Sequence, residues 1–166
     1  FQGIQGIPRE MMRMKTGVLI DTNLLLVMIM GGVDEERYIS KSKRLGDFCI
    51  VDYHMLWELV KGYREIWITP YIAAEVSNLI DLDGYAGAKA FEIARVLFSQ
   101  FKQAEALIAD DCKGTLFIQF GLTDNSIINL SKDLDILTND GRMLTPLYEV
   151  SPGRIIPYVP FKARPW

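Results

Sequence analysis

An α/β fold built on a central parallel sheet is predicted by three features of the sequence. Val18-Leu19-Ile20 is an apolar triplet rich in β-branched residues that reads as a strand buried on both faces, and the aliphatic run Leu24 to Met30 reads as a helix packed close behind it. Strand-like and helix-like stretches then alternate along the chain, as they do where helices connect parallel strands. Acids stand where strands end, Asp21 after the first and Asp140 after Asp135-Ile136-Leu137-Thr138. Ligands of an open parallel sheet bind beyond the carboxyl ends of its strands, so these are positions for chemistry. Asp21 equally suits the N-cap of the helix that follows.

The 166 residues fit one domain, placed here at 11–166. Phe1-Gln2-Gly3 resembles the remnant of a cleaved expression tag, which sets residues 1–10 aside and makes Met11, Met12 or Met14 candidate native starts. A hydrophobic share of 49% with 23% charged residues excludes a disordered chain. The longest apolar run falls far short of the ~20 residues that span a bilayer, and no secretory signal is visible, so no membrane association and a cytoplasmic location are expected. Two cysteines, Cys49 and Cys112, and one histidine, His54, support neither a zinc site nor a disulfide framework. The net charge of -3 is not that of a typical nucleic-acid binder. It does not exclude one, because carboxylates gathered around divalent cations carry charge that the bound metal offsets.

After the first helix Gly31-Gly32 breaks the pattern, and Asp34 to Leu45 reads as a polar helix ending in Lys41, Lys43 and Arg44. Those cations suit the helix C-terminal dipole and also suit phosphate. Phe48 to Val51 fits a short strand or a loop. Asp52 is placed as the N-cap of a helix to about Gly62 with an apolar stripe of Met55, Leu56, Leu59 and Val60. Ile66-Trp67-Ile68 reads as a strand, and Thr69-Pro70 as a helix start. On that helix Glu75 is three residues after Ile72 and four before Leu79, an acid at the edge of the inward face. A turn at Asp81 to Gly84 precedes a long helix from about Ala86 to Gln103, with an inner stripe of Phe91, Ala94, Leu97, Phe98 and Phe101. Thr115 to Phe120 fits a strand or a helix end, and is read as helix. Thr123 is placed as an N-cap with Asp124 in the first turn, facing inward or serving the helix dipole. A short helix over Arg142 to Val150 and an edge strand over Arg154 to Val159, marked by Pro157, complete the chain.

Asp21 and Asp140 follow strands, and Glu75 and Asp124 lie near helix starts, so a parallel sheet brings all four to one edge. Four unshielded carboxylates repel one another unless they hold protons or hard cations, and oxygen ligands select Mg²⁺ or Mn²⁺.

The segments Val18-Leu19-Ile20-Asp21-Thr22-Asn23, Thr69-Pro70 leading to Ala74-Glu75-Val76, Thr123-Asp124 with Ser126-Ile127, and Ile136 to Asp140 together resemble the four acidic motifs of the PIN domain, in order, over residues 17 to 160. The resemblance implies a three-layer α/β/α sandwich and Mg²⁺- or Mn²⁺-dependent cleavage of RNA phosphodiesters. It further implies that Asp21, Glu75, Asp124 and Asp140 bind metal and that Asn23 and Thr138 orient them. Lys41, Lys43 and Arg44 are then candidates for contacting RNA. Many bacterial and archaeal members are toxins with an antitoxin partner, often homodimeric. This chain departs from the compact toxins in its greater length and in the extra helical stretch over Asp52 to Gly62. Two other readings stay open: a catalytically silent PIN-like RNA-binding or interaction module, and a haloacid-dehalogenase-like phosphatase. The phosphatase wants a second aspartate where Asn23 stands.

Overall fold

The computed structural model describes residues 15–34 and 37–165. The proposed tag remnant and native starts lie outside them. Five strands, β1 (Lys15–Ile20), β2 (Tyr63–Ile68), β3 (Lys102–Gln103), β4 (Asp135–Thr138) and β5 (Ile155–Pro157), form an all-parallel sheet in the order β3-β2-β1-β4-β5. Among the described residues seven α-helices connect and flank them as an α/β/α sandwich: α1 (Thr22–Gly31), α2 (Ile50–Val60), α3 (Pro70–Leu79), α4 (Gly84–Gln100), α5 (Ile108–Asp111), α6 (Thr115–Leu130) and α7 (Leu144–Val150). Among the described residues no helix is long and apolar enough to cross a membrane.

Strand order reverses between β1 and β4. The chain winds outward through β2 and β3 on one side, then restarts next to β1 with β4 and continues to β5. The loops leaving β1 and β4 diverge at this switch point and open a crevice. Asp21 sits at its lip, its amide still bonded to the Leu137 carbonyl at 3.0 Å.

The core is centred on β1 and α1. Val18, Leu19 and Ile20 are fully buried, and Leu24 to Met30 are at most 1% exposed, so α1 is apolar all round because it is enclosed all round. A Cβ on Gly31 would lie 2.2 Å from the Tyr53 ring, so glycine lets α2 cross the end of α1.

Several boundaries differ from expectation. Residues 37–45 form successive turns rather than a helix. Ile39 and Leu45 are both buried but six residues apart, a spacing that one helical face does not bury together. Helix α2 begins at Ile50 with Cys49 as its N-cap. Asp52 lies inside the first turn, fully buried, and accepts from the Cys49 amide at 2.8 Å, the Tyr158 hydroxyl at 2.7 Å and the Phe161 amide at 2.8 Å. It fastens the C-terminal segment to α2. Helix α4 stops at Gln100 because Phe101 turns extended, and Lys102 and Gln103 pair with Trp67 and Ile68 as the edge of the sheet. Its buried face is made of Ala86, Gly87, Ala90, Ala94 and Leu97, while Phe91 is exposed. Small residues let that helix approach closely. The Thr69 cap and Pro70 start of α3 are as expected, with the Thr69 hydroxyl accepting from the Ile72 amide at 3.1 Å.

Helix α6 is interrupted at Gly121, whose φ of 84° and ψ of -174° are barred to residues with a side chain. The break sets the direction of the turn that carries Thr123 and Asp124. Gly121→Ala is expected to cost more than about 1 kcal/mol, because the strain of a positive φ outweighs what alanine gains by restricting the unfolded chain. Urea unfolding checks this, and an unchanged midpoint would show that the kink is not required.

Candidate acidic cleft

A cleft of about 500 Å³ opens at the switch point, and Asp21, Glu75, Asp124 and Asp140 all line it. The acids come from four segments distant in sequence: the end of β1, the middle of α3, the post-kink part of α6 and the turn after β4.

Each acid has its own surroundings. Asp21 is 6% exposed and caps α1 through the Thr22 amide, which donates to Oδ1 at 2.7 Å. Its Oδ2 accepts from the buried Thr138 hydroxyl at 2.6 Å. The cap and the cleft acid are thus one residue. Burial pushes the Asp21 carboxyl above its ordinary range; the Thr138 and Thr22 bonds oppose that rise, and the charges of Asp140 and Glu75 add to it.

Glu75 is exposed toward the cleft rather than half-buried, because α3 turns this edge to the crevice. Its position is nevertheless held. Thr123 donates to Oε1 at 2.8 Å and Thr22 to Oε2 at 3.1 Å. Thr123 therefore spends its hydroxyl on Glu75 instead of serving as a helix cap.

Asp140 accepts from the Arg142 amide at 2.9 Å and Nε at 3.3 Å on Oδ1, and from Nη2 at 2.9 Å on Oδ2. Desolvation pushes this carboxyl up, but the bonds to Arg142 outweigh it and leave the net shift downward. The Thr138 hydroxyl also accepts from the Asp140 amide at 3.0 Å, so one side chain positions two of the acids.

Asp124 receives no hydrogen bond among the described residues. Burial first, then the charges of Asp21, Asp140 and Glu75, raise its pKa from 3.8 to about 6, against a smaller opposing effect of Arg142. Its neighbour Asn125 is buried and donates to the Asp111 carbonyl at 2.6 Å and the Lys113 carbonyl at 3.2 Å. The Tyr71 hydroxyl donates to Asp111 at 2.8 Å, so α3 and α6 jointly anchor the segment that leads into α6.

Of the other candidate residues, Thr138 is placed as expected. Asn23 lines the cleft but makes no hydrogen bond to an acid, and Thr22 beside it does that work. Arg44 lines the cleft. Lys41 and Lys43 do not: the Lys41 amine lies over the Tyr38 ring at 5.4 Å, and the Lys43 amide bonds Asp81 at 3.1 Å. Thr22, Asn78 and Arg142 are cleft residues that sequence reasoning passed over. Only Arg142 carried a signal, being a cation two residues after a candidate acid.

The donor set suits a hard divalent cation: carboxylate oxygens gathered with like-charge repulsion among them. Among the described residues no group of three or more His, Cys, Asp or Glu side chains is arranged so that it could hold a metal ion. Fold and cleft together define an α/β protein with an acidic site at a topological switch point. No family model and no curated protein matches the chain.

A carboxyl whose folded pKa exceeds its unfolded value binds its proton more tightly when folded, so folding weakens as that proton leaves. The stability that Asp124 contributes without metal should therefore be lost as pH rises from about 4 to above about 6, and Asp124→Asn should remove that component of the pH dependence. Melting temperatures of both proteins in chelator across this window test it. Identical slopes would show that the Asp124 carboxyl is not raised above its unfolded value.

Proposed function

We propose that the protein is a metal-dependent ribonuclease of the PIN type, hydrolysing RNA phosphodiesters at the acidic cleft. The observation that carries this reading is the convergence of Asp21, Glu75, Asp124 and Asp140 from four segments into one cleft at the switch point. The ordered motifs that resemble the PIN family support the choice of RNA, and an antitoxin partner and a homodimer belong to the proposal through that resemblance.

Asp21, Glu75, Asp124 and Asp140 would be the residues to hold Mg²⁺ or Mn²⁺, which would supply charge neutralisation at the phosphate and lower the pKa of a bound water. The chain's own residues prepare for it. Thr138 holds Asp21 and the Asp140 turn, while Thr22 and Thr123 hold both oxygens of Glu75. Hydroxyl donors orient a carboxylate without cancelling its charge, which leaves the acids attractive to a cation. Asp124 must lose its proton before it can coordinate, so cation binding should strengthen as pH rises through about 6. Arg44 and Arg142 are the cations at the same cleft and suit a phosphate that would otherwise be repelled by the acids.

Cleavage of a single-stranded RNA should require added Mg²⁺ or Mn²⁺, stop on chelation and disappear in Asp21→Asn. Thr138→Val should retain the acid but lower activity or metal affinity by roughly 10- to 100-fold, the usual cost of losing a residue that orients a metal ligand. Mn²⁺ should also stabilise the wild-type protein, by about 2.7 kcal/mol at a hundredfold excess over Kd, and stabilise Asp124→Asn much less. Undiminished cleavage in excess chelator would overturn the metal-dependent mechanism. Metal-induced stabilisation with no cleavage of any RNA would leave a cation-binding module in place of a nuclease.

A further inference from the structure

The acidic cleft also has an apolar wall. Leu79 stands one helical turn beyond Glu75 on α3, and Phe120 is the last residue before the Gly121 kink. Both line the cleft with the acids, both are half-buried, and both pack on the hydrophobic core from within. Neither side chain has an atom that holds a cation or a phosphate. The kink itself faces open space: a Cβ built on Gly121 would meet no atom of a non-adjacent residue within 4 Å. The cleft volume of about 500 Å³ exceeds what metal ions and one phosphate group need, and falls within the range of sites that enclose an organic ligand.

We infer that Phe120 and Leu79 form a seat for one unpaired nucleobase of the strand whose phosphate lies at the acids, an inference that rests on the proposed ribonuclease reading. Each phosphate of the strand brings a base with it, so a cleft that takes the phosphate places a flat aromatic group within reach of this wall. A phenyl ring stacks on any base, because every base has a π-face, and base–aromatic stacking is a common means of holding single strands. Arg44, at the same cleft, is placed to take a backbone phosphate. In a duplex the bases are stacked inward and paired, so the seat selects single-stranded RNA and sets Phe120 as a positioning residue for it.

The test uses the full chain and two labelled oligoribonucleotides of equal length, one normal and one in which abasic residues replace the nucleotides at the cleavage region. Affinities are read by fluorescence anisotropy in Ca²⁺, and cleavage of the normal strand is followed separately in Mg²⁺. Wild type should bind the abasic strand more weakly by ~5- to 150-fold, the range expected for losing a stacked base. Phe120→Leu, which keeps apolar packing but has no π-face, should bind both strands alike, and Phe120→Tyr should restore the discrimination. Melting curves of both variants confirm folding. Equal binding of the two strands by wild type, undiminished discrimination in Phe120→Leu, or no binding of either strand would overturn the base seat. Discrimination without cleavage would sink the nuclease reading while leaving the seat in place, and cleavage without discrimination would do the reverse.

Discussion

The hydroxyl of Thr138 joins the two strands between which the sheet reverses its order. It donates to Asp21 at the end of β1 and accepts from the amide of Asp140 just beyond β4. Thr138 is fully buried and Asp21 nearly so, so this charge-assisted bond lies in a low dielectric where it is strong and where losing it leaves a carboxylate oxygen unpartnered. The rest of the cleft depends on that fixed point. Thr22 follows Asp21 directly and reaches Glu75, and Glu75 in turn receives Thr123, the residue before Asp124.

The chain of threonines answers a physical conflict. Four carboxylates in one cleft repel, and the cheapest way to quiet them is to pair each with a basic side chain. Among the described residues only Asp140 is paired so, with Arg142. The others are steered by hydroxyls, by a backbone amide or, for Asp124, by no donor at all among the described residues. The negative potential therefore survives folding, and it adds to the burial that chiefly raises the pKa values of Asp21 and Asp124. Native proteins commonly store such strain where the surrounding structure is rigid enough to hold it. Here the rigidity comes from α1, enclosed on every side, and from the polar ties made by Asp52, Asn125 and Tyr71.

Much of the architecture was legible in the chain itself. The buried β1 triplet, the apolar α1, the Thr69-Pro70 start of α3 and the strand before Asp140 are dictated by short-range preferences, and those preferences hold in the fold. The places of Asp21 and Asp140 follow from the same local rules, since strand ends are set within a few residues, whereas Glu75 lies in the middle of α3 and Asp124 beyond the kink of α6. Long-range burial defeated the reading elsewhere. Ile39 and Leu45 are drawn into the core from a segment whose polarity suggested a helix, and Phe91 stays exposed because alanines and Gly87 give α4 a closer-packing face.

What the sequence by itself determined is which acids end strands and which ride on helices, together with the alternation that makes the sheet parallel. Tertiary structure alone decided which neighbours those acids meet. That Thr22 serves Glu75, that Thr123 turns from capping to holding a carboxylate, and that Arg44 but not Lys41 or Lys43 reaches the cleft are contacts between residues far apart in the chain. No local propensity encodes such contacts. They arise because the strand order reverses between β1 and β4 and because a positive φ at Gly121 aims the end of α6 into the crevice that reversal opens.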